Sequence, residues 1–302
     1  MATVSVLLCT YNGGNYIARQ LDSILLQGAM VNISDDGSSD DTIEILRKYE
    51  RDYSNVCFRT GPTQGFVRNF FSLIADEEIM SDYFAFSDQD DIWEPNHLER
   101  ALDFLSEVDS GTPALYASRT RLIDADGREI GWSPCHPRKP AFQNALIQNI
   151  ASGNTMVFNR AARDLLAKLG SHAMPAWHDW ALYQVVTACG GHVFYSQEPT
   201  VRYRQHASNA MGAQSTLRSR GLRLLALLRG HFRSWNTQNI KALAGLGGVM
   251  SPESQTVLAR FAEVRERSTP WGRVMGIYSL RLYRQTRLGQ LGLYVAAFFK
   301  LM

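Results

Sequence analysis

Continuous apolar runs alternate with helical patterns along the first hundred residues. The apolar runs, which predict buried strands, lie at residues 4–9, 29–33, 55–59 and 83–86. The segments with apolar residues at helical spacing lie at residues 16–26, 42–51 and 66–75. A further helix is expected to begin near Pro95, since proline suits a first helical turn. This alternation up to residue 107 predicts an α/β fold with a mostly parallel sheet and helices on both faces.

The pattern is less regular from residue 114 onward. Predicted strands are 114–117, a hairpin at 121–130 with its turn at Asp126-Gly127, 155–158, 192–195 and 200–204. Predicted helices are 142–150, 161–169 and 178–189. Residues 132–140 carry prolines and charges and are predicted to form a mobile loop. From about residue 216, leucines alternate with arginines, which predicts a basic amphipathic helix. Helices at 252–267 and 275–302 follow, so we expect one large domain at 1–214 and a helical extension at 215–302.

Charge separates the two parts of the chain, although the net charge is only +2. Residues 1–214 hold 17 Lys/Arg and 26 Asp/Glu, whereas residues 215–302 hold 14 Lys/Arg and 3 Asp/Glu.

The four cysteines form no Cys-x-x-Cys pair, which argues against a disulfide framework or structural zinc and for a reducing compartment. The first residues lack the basic start of a secretory signal. No apolar stretch approaches the roughly 20 residues of a membrane span.

Polar clusters follow each of the four predicted parallel strands. They are Thr10-Tyr11-Asn12, Asp35-Asp36-Gly37-Ser38, a loop leading to Arg68-Asn69, and Asp88-Gln89-Asp90. Any one of them alone reads as an ordinary turn before a helix. Because the carboxyl ends of parallel strands meet at one edge, the four together predict a ligand-binding crevice.

Three carboxylates, those of Asp88, Asp90 and Asp91, crowd the end of the fourth strand. Carboxylates this close resist ionisation, and a divalent cation such as Mg²⁺ or Mn²⁺, alone or bound to a diphosphate, relieves the repulsion. The alternative is helix capping, for which Asp91 is the best candidate. The crevice chemistry suits a nucleotide diphosphate. Both the Walker phosphate loop and the Gly-x-Gly-x-x-Gly fingerprint are absent, and the second absence weighs against hydride transfer.

Three segments in this order resemble the family 2 glycosyltransferases of the GT-A fold: 4–12 (VSVLLCTYN), 34–40 (SDDGSSD) and 87–93 (SDQDDIW). The resemblance extends over about residues 3–210. It implies a GT-A-type, Rossmann-like domain that transfers a sugar from a nucleotide-sugar donor with inversion and a divalent metal. Within the family, the last of these motifs together with 152–155, 178–180 and 203–212 is most similar to bacterial rhamnosyltransferases. Those enzymes use dTDP-L-rhamnose to build O-antigen and related polysaccharides.

The resemblance assigns roles to positions of this chain. Implied nucleotide-sugar-binding residues are Thr10, Tyr11, Asn12, Asp35, Asp36, Arg68, Asn69, Asp88 and Arg204. Implied metal ligands are Asp88 and Asp90, with His206 as a third. Implied acceptor-facing residues are Gly153, Asn154, His178 and Trp180.

The implied general base is Asp179, with His178 standing where the family usually has Glu. The alternative for Asp179 is a carboxylate that stabilises a helix N-terminus by about 0.3–1 kcal/mol. Arg202, Arg204 and His206 alternate along one strand face, which suits a diphosphate. The two tryptophans Trp177 and Trp180 suit either acceptor stacking or core packing.

Partners and rival functions remain open at this stage. The basic extension suits docking on the anionic inner face of a bacterial membrane, beside a lipid-diphosphate-linked or other saccharide acceptor. Its alternatives are a solvated helical subdomain or a homodimer contact. No nucleic-acid partner is expected. The rival functions are a UDP-hexose or UDP-hexosamine transferase of the same family and, from another class, a metal-dependent nucleotidyltransferase or nucleotide-diphosphate hydrolase.

Overall fold

The computed structural model describes residues 2–206 and 230–302. The strands are β1 (Val4–Thr10), β2 (Met30–Asp35), β3 (Val56–Thr60), β4 (Tyr83–Ser87), β5 (Ile92–Trp93), β6 (Ala114–Ile123), β7 (Glu129–Trp132), β8 (Val157–Asn159) and β9 (His192–Arg204). The helices are α1 (Ile17–Leu25), α2 (Thr42–Asp52), α3 (Phe66–Ile74), α4 (His97–Leu105), α5 (Phe142–Ala145), α6 (Arg160–His172), α7 (His178–Ala188), α8 (His231–Ala244), α9 (Pro252–Glu266), α10 (Pro270–Ser279) and α11 (Arg287–Phe298). The strand and helix alternation predicted for the first hundred residues is confirmed.

The site-bearing half of the sheet is parallel, in the order β3-β2-β1-β4. All seven residues of β1 are buried, as expected of a central strand covered on both faces. In the register, Thr10 pairs with Asp35 on β2, and Leu8 pairs with Ser87 at the end of β4. The carboxyl ends of these strands therefore lie at one edge, as the sequence predicted.

The other half of the sheet is mixed, in the order β4-β8-β6-β9-β5, with β7 paired to β6. Two pairs of predicted strands are joined. The runs at 114–117 and 121–123 form the single strand β6, and those at 192–195 and 200–204 form β9. The β6–β9 register shifts between Ser118 and Thr120, so one irregularity lets both strands continue past the polar positions that had suggested a break.

The C-terminal helices pack on the same hydrophobic core as the sheet. Phe84 and Phe158 of the sheet, Phe261 of α9 and Ile277 of α10 belong to one buried cluster. The predicted helix at 275–302 is instead two helices, because the chain turns between them with Arg281 in the left-handed region (φ 54°). The predicted basic helix beginning near residue 216 lies outside the described residues, as does the predicted boundary between 214 and 215. Within the described ranges, no helix is long and apolar enough to cross a membrane.

Candidate active site

The first side of the crevice is built at the ends of β1 and β2. The hydroxyl of buried Thr10 donates to Asp35 Oδ2 (2.7 Å), and Asp35 also accepts from the Ser38 hydroxyl and from the amides of Gly37 and Ser38. The Asp35 carboxylate is thus occupied in shaping its own loop. Asp36 is half-exposed and accepts from the amides of Gln64 and Gly65 (3.1 and 2.7 Å), which fixes the loop before α3.

Tyr11 presents its ring at the crevice mouth with 58% of its surface exposed. Its backbone is held on both sides by Gln89, whose Oε1 accepts from the Tyr11 amide (2.8 Å) and whose Nε2 donates to the Tyr11 carbonyl (3.0 Å). Asn12 adopts a left-handed conformation (φ 50°), and its Oδ1 accepts from the Ser39 amide (2.8 Å). Gln89 therefore ties the β1 loop to the acidic loop after β4, although sequence reasoning gave it no role.

The neighbouring residues Arg68 and Asn69 of α3 face different surroundings. Asn69 is buried and exchanges two hydrogen bonds with Ser34, so it fastens α3 to β2. Arg68 is exposed, and its guanidinium makes no hydrogen bond or ion pair within the described part of the chain. Of the two, Arg68 has the unpaired positive charge that an anionic ligand requires.

The three carboxylates after β4 differ in environment. Asp91 is fully buried, accepts from Asn154 Nδ2 (2.5 Å) and from the Arg204 amide (3.0 Å), and has a raised pKa because of burial and the nearby Asp90 and Asp88. It does not cap α4, which begins six residues later at His97. Burial, with repulsion from Asp90 and then Asp179, raises the pKa of Asp88 to about 7.

The Asp88 carboxylate accepts no hydrogen bond from any residue that the structure describes, whereas Asp90 Oδ2 lies 2.6 Å from His206 Nε2. Oxygen and imidazole donors suit Mn²⁺ or Mg²⁺, and the unrelieved charge on Asp88 is what a cation would offset. Among residues 2–206 and 230–302, no group of three or more His, Cys, Asp or Glu side chains forms a ready ligand set. Asp88, Asp90 and His206 are the residues that would hold such a cation.

Three alternating residues at and just after the end of β9 contact different partners; they are Arg202, Arg204 and His206. Arg202 forms a paired contact with Glu94, with its Nε 2.8 Å from Oε1. Arg204 is fully buried, and its guanidinium donates to the carbonyls of Asp90, Asp124 and Ala125. His206 stacks on Tyr16 at 5.1 Å and contacts Asp90. Arg204 therefore stabilises the loop that carries Asp90, and its role in donor binding stays a prediction.

Asp179 lies in the first turn of α7, where the helix N-terminus favours a negative charge. Its Oδ1 accepts from the Trp180 amide (2.6 Å) and its Oδ2 from Asn149 Nδ2 (2.9 Å). Burial nevertheless raises the pKa of Asp179 to about 6. A carboxyl group with this pKa is ionised at neutral pH and can still accept a proton, as a general base must. Sequence reasoning missed Asn149, which no local motif distinguishes.

Gly153 permits the close approach of α7 to the acidic loop. A Cβ at this position would lie 3.1 Å from His178 Nε2 and 3.2 Å from the Asp179 Cβ. The next residue, Asn154, reaches Asp91. Gly153 and Asn154 therefore connect Asp179 on α7 with Asp91 in the acidic loop after β4. The structure thus brings together residues that the sequence had singled out in distant parts of the chain.

His178 and Trp180 both point into the protein. The His178 ring stacks on Phe70 at 3.8 Å, burial lowers its pKa to about 3, and neither ring nitrogen has a hydrogen-bond partner among the described residues. Trp180 is buried and donates from Nε1 to the Ala145 carbonyl (2.6 Å). Of the two alternatives left open for Trp180, the geometry favours core packing, whereas its contact with an acceptor stays a prediction.

An aromatic row runs from α3 through Trp177, the residue before α7, to α8. Phe66 is partly exposed and lies 5.2 Å from Trp177, which directly precedes His178; Trp177 meets Trp235 of α8 edge-on at 5.7 Å. The C-terminal helices thus contribute Trp235 to the surroundings of Asp179. Aromatic faces of this kind suit the apolar face of a sugar ring.

Comparison with known proteins agrees with this geometry. The family described as Glycosyl transferase family 2 matches residues 5–166, more than half of the chain, and the protein belongs to that family. A dTDP-rhamnosyl transferase, RfbG of Shigella flexneri, is 28% identical over 254 residues, covering 78% of this chain and 84% of the relative. The chondroitin synthase of Escherichia coli is 32% identical over 130 residues, covering 42% and 18%.

Solved structures share the GT-A fold at low identity. The Staphylococcus aureus protein TarS 1–349 in complex with UDP aligns with a TM-score of 0.55 and 16% identity, covering 99% of this chain and 80% of that one. The mannosyltransferase PcManGT from Pyrobaculum calidifontis, solved with GDP-Man and Mn²⁺, aligns with a TM-score of 0.52 and 18% identity, covering 99% and 87%. The predicted fold class is therefore confirmed, and the chain is a family 2 glycosyltransferase.

Proposed function

We propose that this glycosyltransferase moves L-rhamnose from dTDP-L-rhamnose, with inversion, onto a saccharide or lipid-linked acceptor of a bacterial surface polysaccharide such as O-antigen. One observation carries the proposal of inverting transfer: the carboxyl group of Asp179, bound by Asn149 in the first turn of α7 with its pKa raised to about 6, lies near enough to Asp88 for its charge to raise the pKa of Asp88. The dTDP-rhamnosyl transferase among the relatives supports the choice of donor.

The chemistry assigned to this geometry is a single displacement. An acceptor hydroxyl oxygen attacks the anomeric carbon from the face opposite the nucleotide, and the bond from that carbon to the diphosphate oxygen breaks. Asp179 takes the hydroxyl proton, and the electron pair of the broken bond leaves with dTDP. The anomeric configuration inverts because there is one displacement, and base catalysis of this kind contributes about 10²–10⁴-fold in rate.

The donor is held by residues from three loops. Tyr11 offers a ring face to the nucleobase of the donor. The nucleoside pocket is shaped by Thr10, Asp35 and Asp36. Arg68 offers a positive charge to the diphosphate. Asp88 and Asp90, with His206, would hold Mn²⁺ or Mg²⁺. When bound, the cation supplies Lewis-acid stabilisation of the departing diphosphate, typically worth several kcal/mol.

A lipid-linked acceptor implies a place of action at a membrane. We assign the enzyme to the cytoplasmic side, peripheral on the inner face of the bacterial membrane, where nucleotide sugars and lipid-linked saccharides meet. The excess of Lys and Arg in residues 215–302 supports this assignment.

The donor is tested by a thermal-shift panel of dTDP, UDP and GDP, each with and without Mn²⁺. We expect the largest rise in melting temperature with dTDP and Mn²⁺, and dTDP release from dTDP-rhamnose in a separate assay. The TarS structure solved with UDP supports a UDP-hexose or UDP-hexosamine donor as the second candidate, which a larger UDP shift would select. A response to GDP alone, or a response that needs no metal, would refute the donor assignment.

A further inference from the structure

Helices α10 and α11 carry large apolar side chains on their outward surface. We call this surface the apolar face, and it consists of Trp271, Met275, Tyr278, Leu288, Leu291, Val295 and Phe299. The exposed fraction of these side chains runs from 44% at Val295 to 77% at Leu288. The α10 members are spaced by four and three residues, and the α11 members by three, four and four, so each set forms one stripe along its helix.

The two stripes are connected through Phe298, which lies 5.2 Å from Phe299 at the end of the α11 stripe. Trp271 of α10 meets Phe298 of α11 edge-on at 5.6 Å, and the opposite sides of both helices bury Ile277, Leu293 and Ala297 in the protein core. A surface helix of a globular protein normally has one apolar stripe, toward the core, and a polar outer side. Here the outer side is apolar as well, and exposed apolar side chains grouped in this way mark an interaction site.

The rim of the apolar face is positively charged. Arg281 and Arg287 are exposed in the connection between the helices and at the start of α11, whereas Lys300, which follows α11, pairs with Glu266 (3.1 Å). No Asp or Glu occurs after Glu266, whereas residues 267–302 contain six Lys or Arg. Charge complementarity therefore favours an anionic surface as the partner.

A second copy of this chain suits the face less well. A two-fold dimer through this face would bring Arg281 and Arg287 towards their own copies, and the nearby carboxylate of Glu266 is already paired with Arg233 and Lys300. The helices have 10 and 12 residues, about 15 and 18 Å long, which is too short to span a bilayer of about 30 Å. Short helices with an apolar outer side and a basic rim lie in the plane of the membrane interface.

We propose that the apolar face of α10 and α11 inserts into the interfacial region of an anionic phospholipid bilayer. The inference rests on the proposed function only in taking the inner face of a bacterial membrane as the physiological surface. The connection between these helices contacts the residue next to Asn149, since the backbone N–H of Gln285 donates to Gln148 Oε1 (2.9 Å). The adjacent Asn149 binds Asp179, so docking would hold the candidate base in fixed relation to the bilayer.

The test is sedimentation of the full-length protein with vesicles. Large vesicles of phosphatidylglycerol and phosphatidylcholine (about 3:7) are compared with pure phosphatidylcholine at low and high salt. We expect the wild-type protein to pellet with the anionic vesicles and less with the neutral ones. The double variant Trp271→Ser/Leu291→Ser should reduce the partition coefficient at least tenfold, because interfacial binding scales with the apolar area inserted.

Matched controls separate this proposal from the catalytic one. Leu26→Ser/Met80→Ser removes two apolar side chains of comparable exposure (82% and 66%, against 70% for Trp271 and 58% for Leu291) from the sheet-bearing part and should bind like the wild type. The variant Asp90→Ala should also bind normally, whatever its turnover, so failed catalysis and failed docking are distinguishable. Wild-type protein that stays in the supernatant, or a double variant that binds normally, would overturn the proposal. So would a dimer seen by analytical ultracentrifugation that the double variant dissolves.

Discussion

Asn149 Nδ2 donates a hydrogen bond to Asp179 Oδ2 at 2.9 Å, and this contact stabilises the ionised form of the candidate base. Asn149→Ala should therefore raise the pKa of Asp179 above its value of about 6. A hydrogen bond to a charged group is worth about 1.5–3 kcal/mol, so we expect a rise of about one to two pH units in the acidic limb of the rate profile. The readout is slow donor hydrolysis, in which water replaces the acceptor.

The graded variant Asn149→Asp sharpens this test, because a second carboxylate beside Asp179 should raise its pKa further. The matched control is Asn55→Ala. Asn55 directly precedes β3, and its side chain donates a hydrogen bond to the carbonyl of Ala29, which directly precedes β2. This control variant should leave the profile unchanged. A profile that is identical in all three variants would mean that Asn149 does not act through Asp179.

The pKa of Asp179 predicts how turnover should depend on pH. The base works as a carboxylate, and with a pKa of about 6 it becomes protonated as the pH falls through 6. Turnover should therefore be constant near pH 8 and fall about tenfold per pH unit below 6. Asp179→Asn should lower turnover by about 10²–10⁴-fold at pH 8, remove the fall in turnover below pH 6 and leave dTDP binding intact.

Asp52→Asn, at the exposed end of α2, is the control for this carboxylate and should behave as the wild type. Retained turnover in Asp179→Asn would leave Asp179 as a helix-stabilising carboxylate. Proton transfer would then belong to another group.

Asp90 and Asp91 are adjacent and should respond differently to the same truncation. Asp91→Ala leaves the buried Asn154 amide and the Arg204 backbone N–H without their acceptor, so the free energy of unfolding should fall by about 2 kcal/mol. Asp90→Ala removes one of the crowded charges, so its stability should stay close to that of the wild type. The Mn²⁺-dependent thermal shift with dTDP should disappear in Asp90→Ala.

Urea denaturation and the nucleotide panel measure these two effects. Equal losses of stability in both variants, or an unchanged Mn²⁺ response in Asp90→Ala, would contradict the division of roles between them.

Local sequence patterns predicted the strands, the helices and the shared edge because each depends on nearby residues. Apolar runs followed by Asp, Asn or Thr fix where a strand ends, and parallel pairing then brings those ends together. Partners from distant segments carry no such signal. Arg202 and Arg204 alternate with His206 as a ligand-binding strand would, yet Glu94 pairs with the first and backbone carbonyls surround the second.

The same limit applies to the C-terminal helices. The apolar residues of 275–302 fit one continuous helix, and only the left-handed Arg281 and the docking of Gln285 on Gln148 show where the chain turns. The sequence also did not predict which side of α11 is exposed. Periodicity shows that a helix has an apolar side, but when both sides are apolar it does not show which of them packs on the core.

Trp235 gives a test of the acceptor side that is independent of the donor. It packs edge-on against Trp177, and Trp177 lies beside Phe66 at the opening next to Asp179. An aromatic contact of this type is worth about 0.5–1.5 kcal/mol, so Trp235→Ala should raise the acceptor KM by up to about tenfold. The donor KM should not change, because the ring partners of Trp235 within the described residues are Trp177 and His231, neither of which is a proposed donor-binding residue. The assay uses whichever octyl glycoside the wild type glycosylates fastest.

Tyr53→Ala is the control, since it removes an exposed aromatic ring stacked on Tyr49 at 5.6 Å, remote from α7 in the chain. Its acceptor KM should match that of the wild type. A merely structural role for Trp235 would lower the melting temperature and affect both substrates alike. If Trp235 belongs to an acceptor-binding surface formed jointly by the sheet-bearing part and the C-terminal helices, Trp235→Ala should raise the acceptor KM alone and preserve the melting temperature.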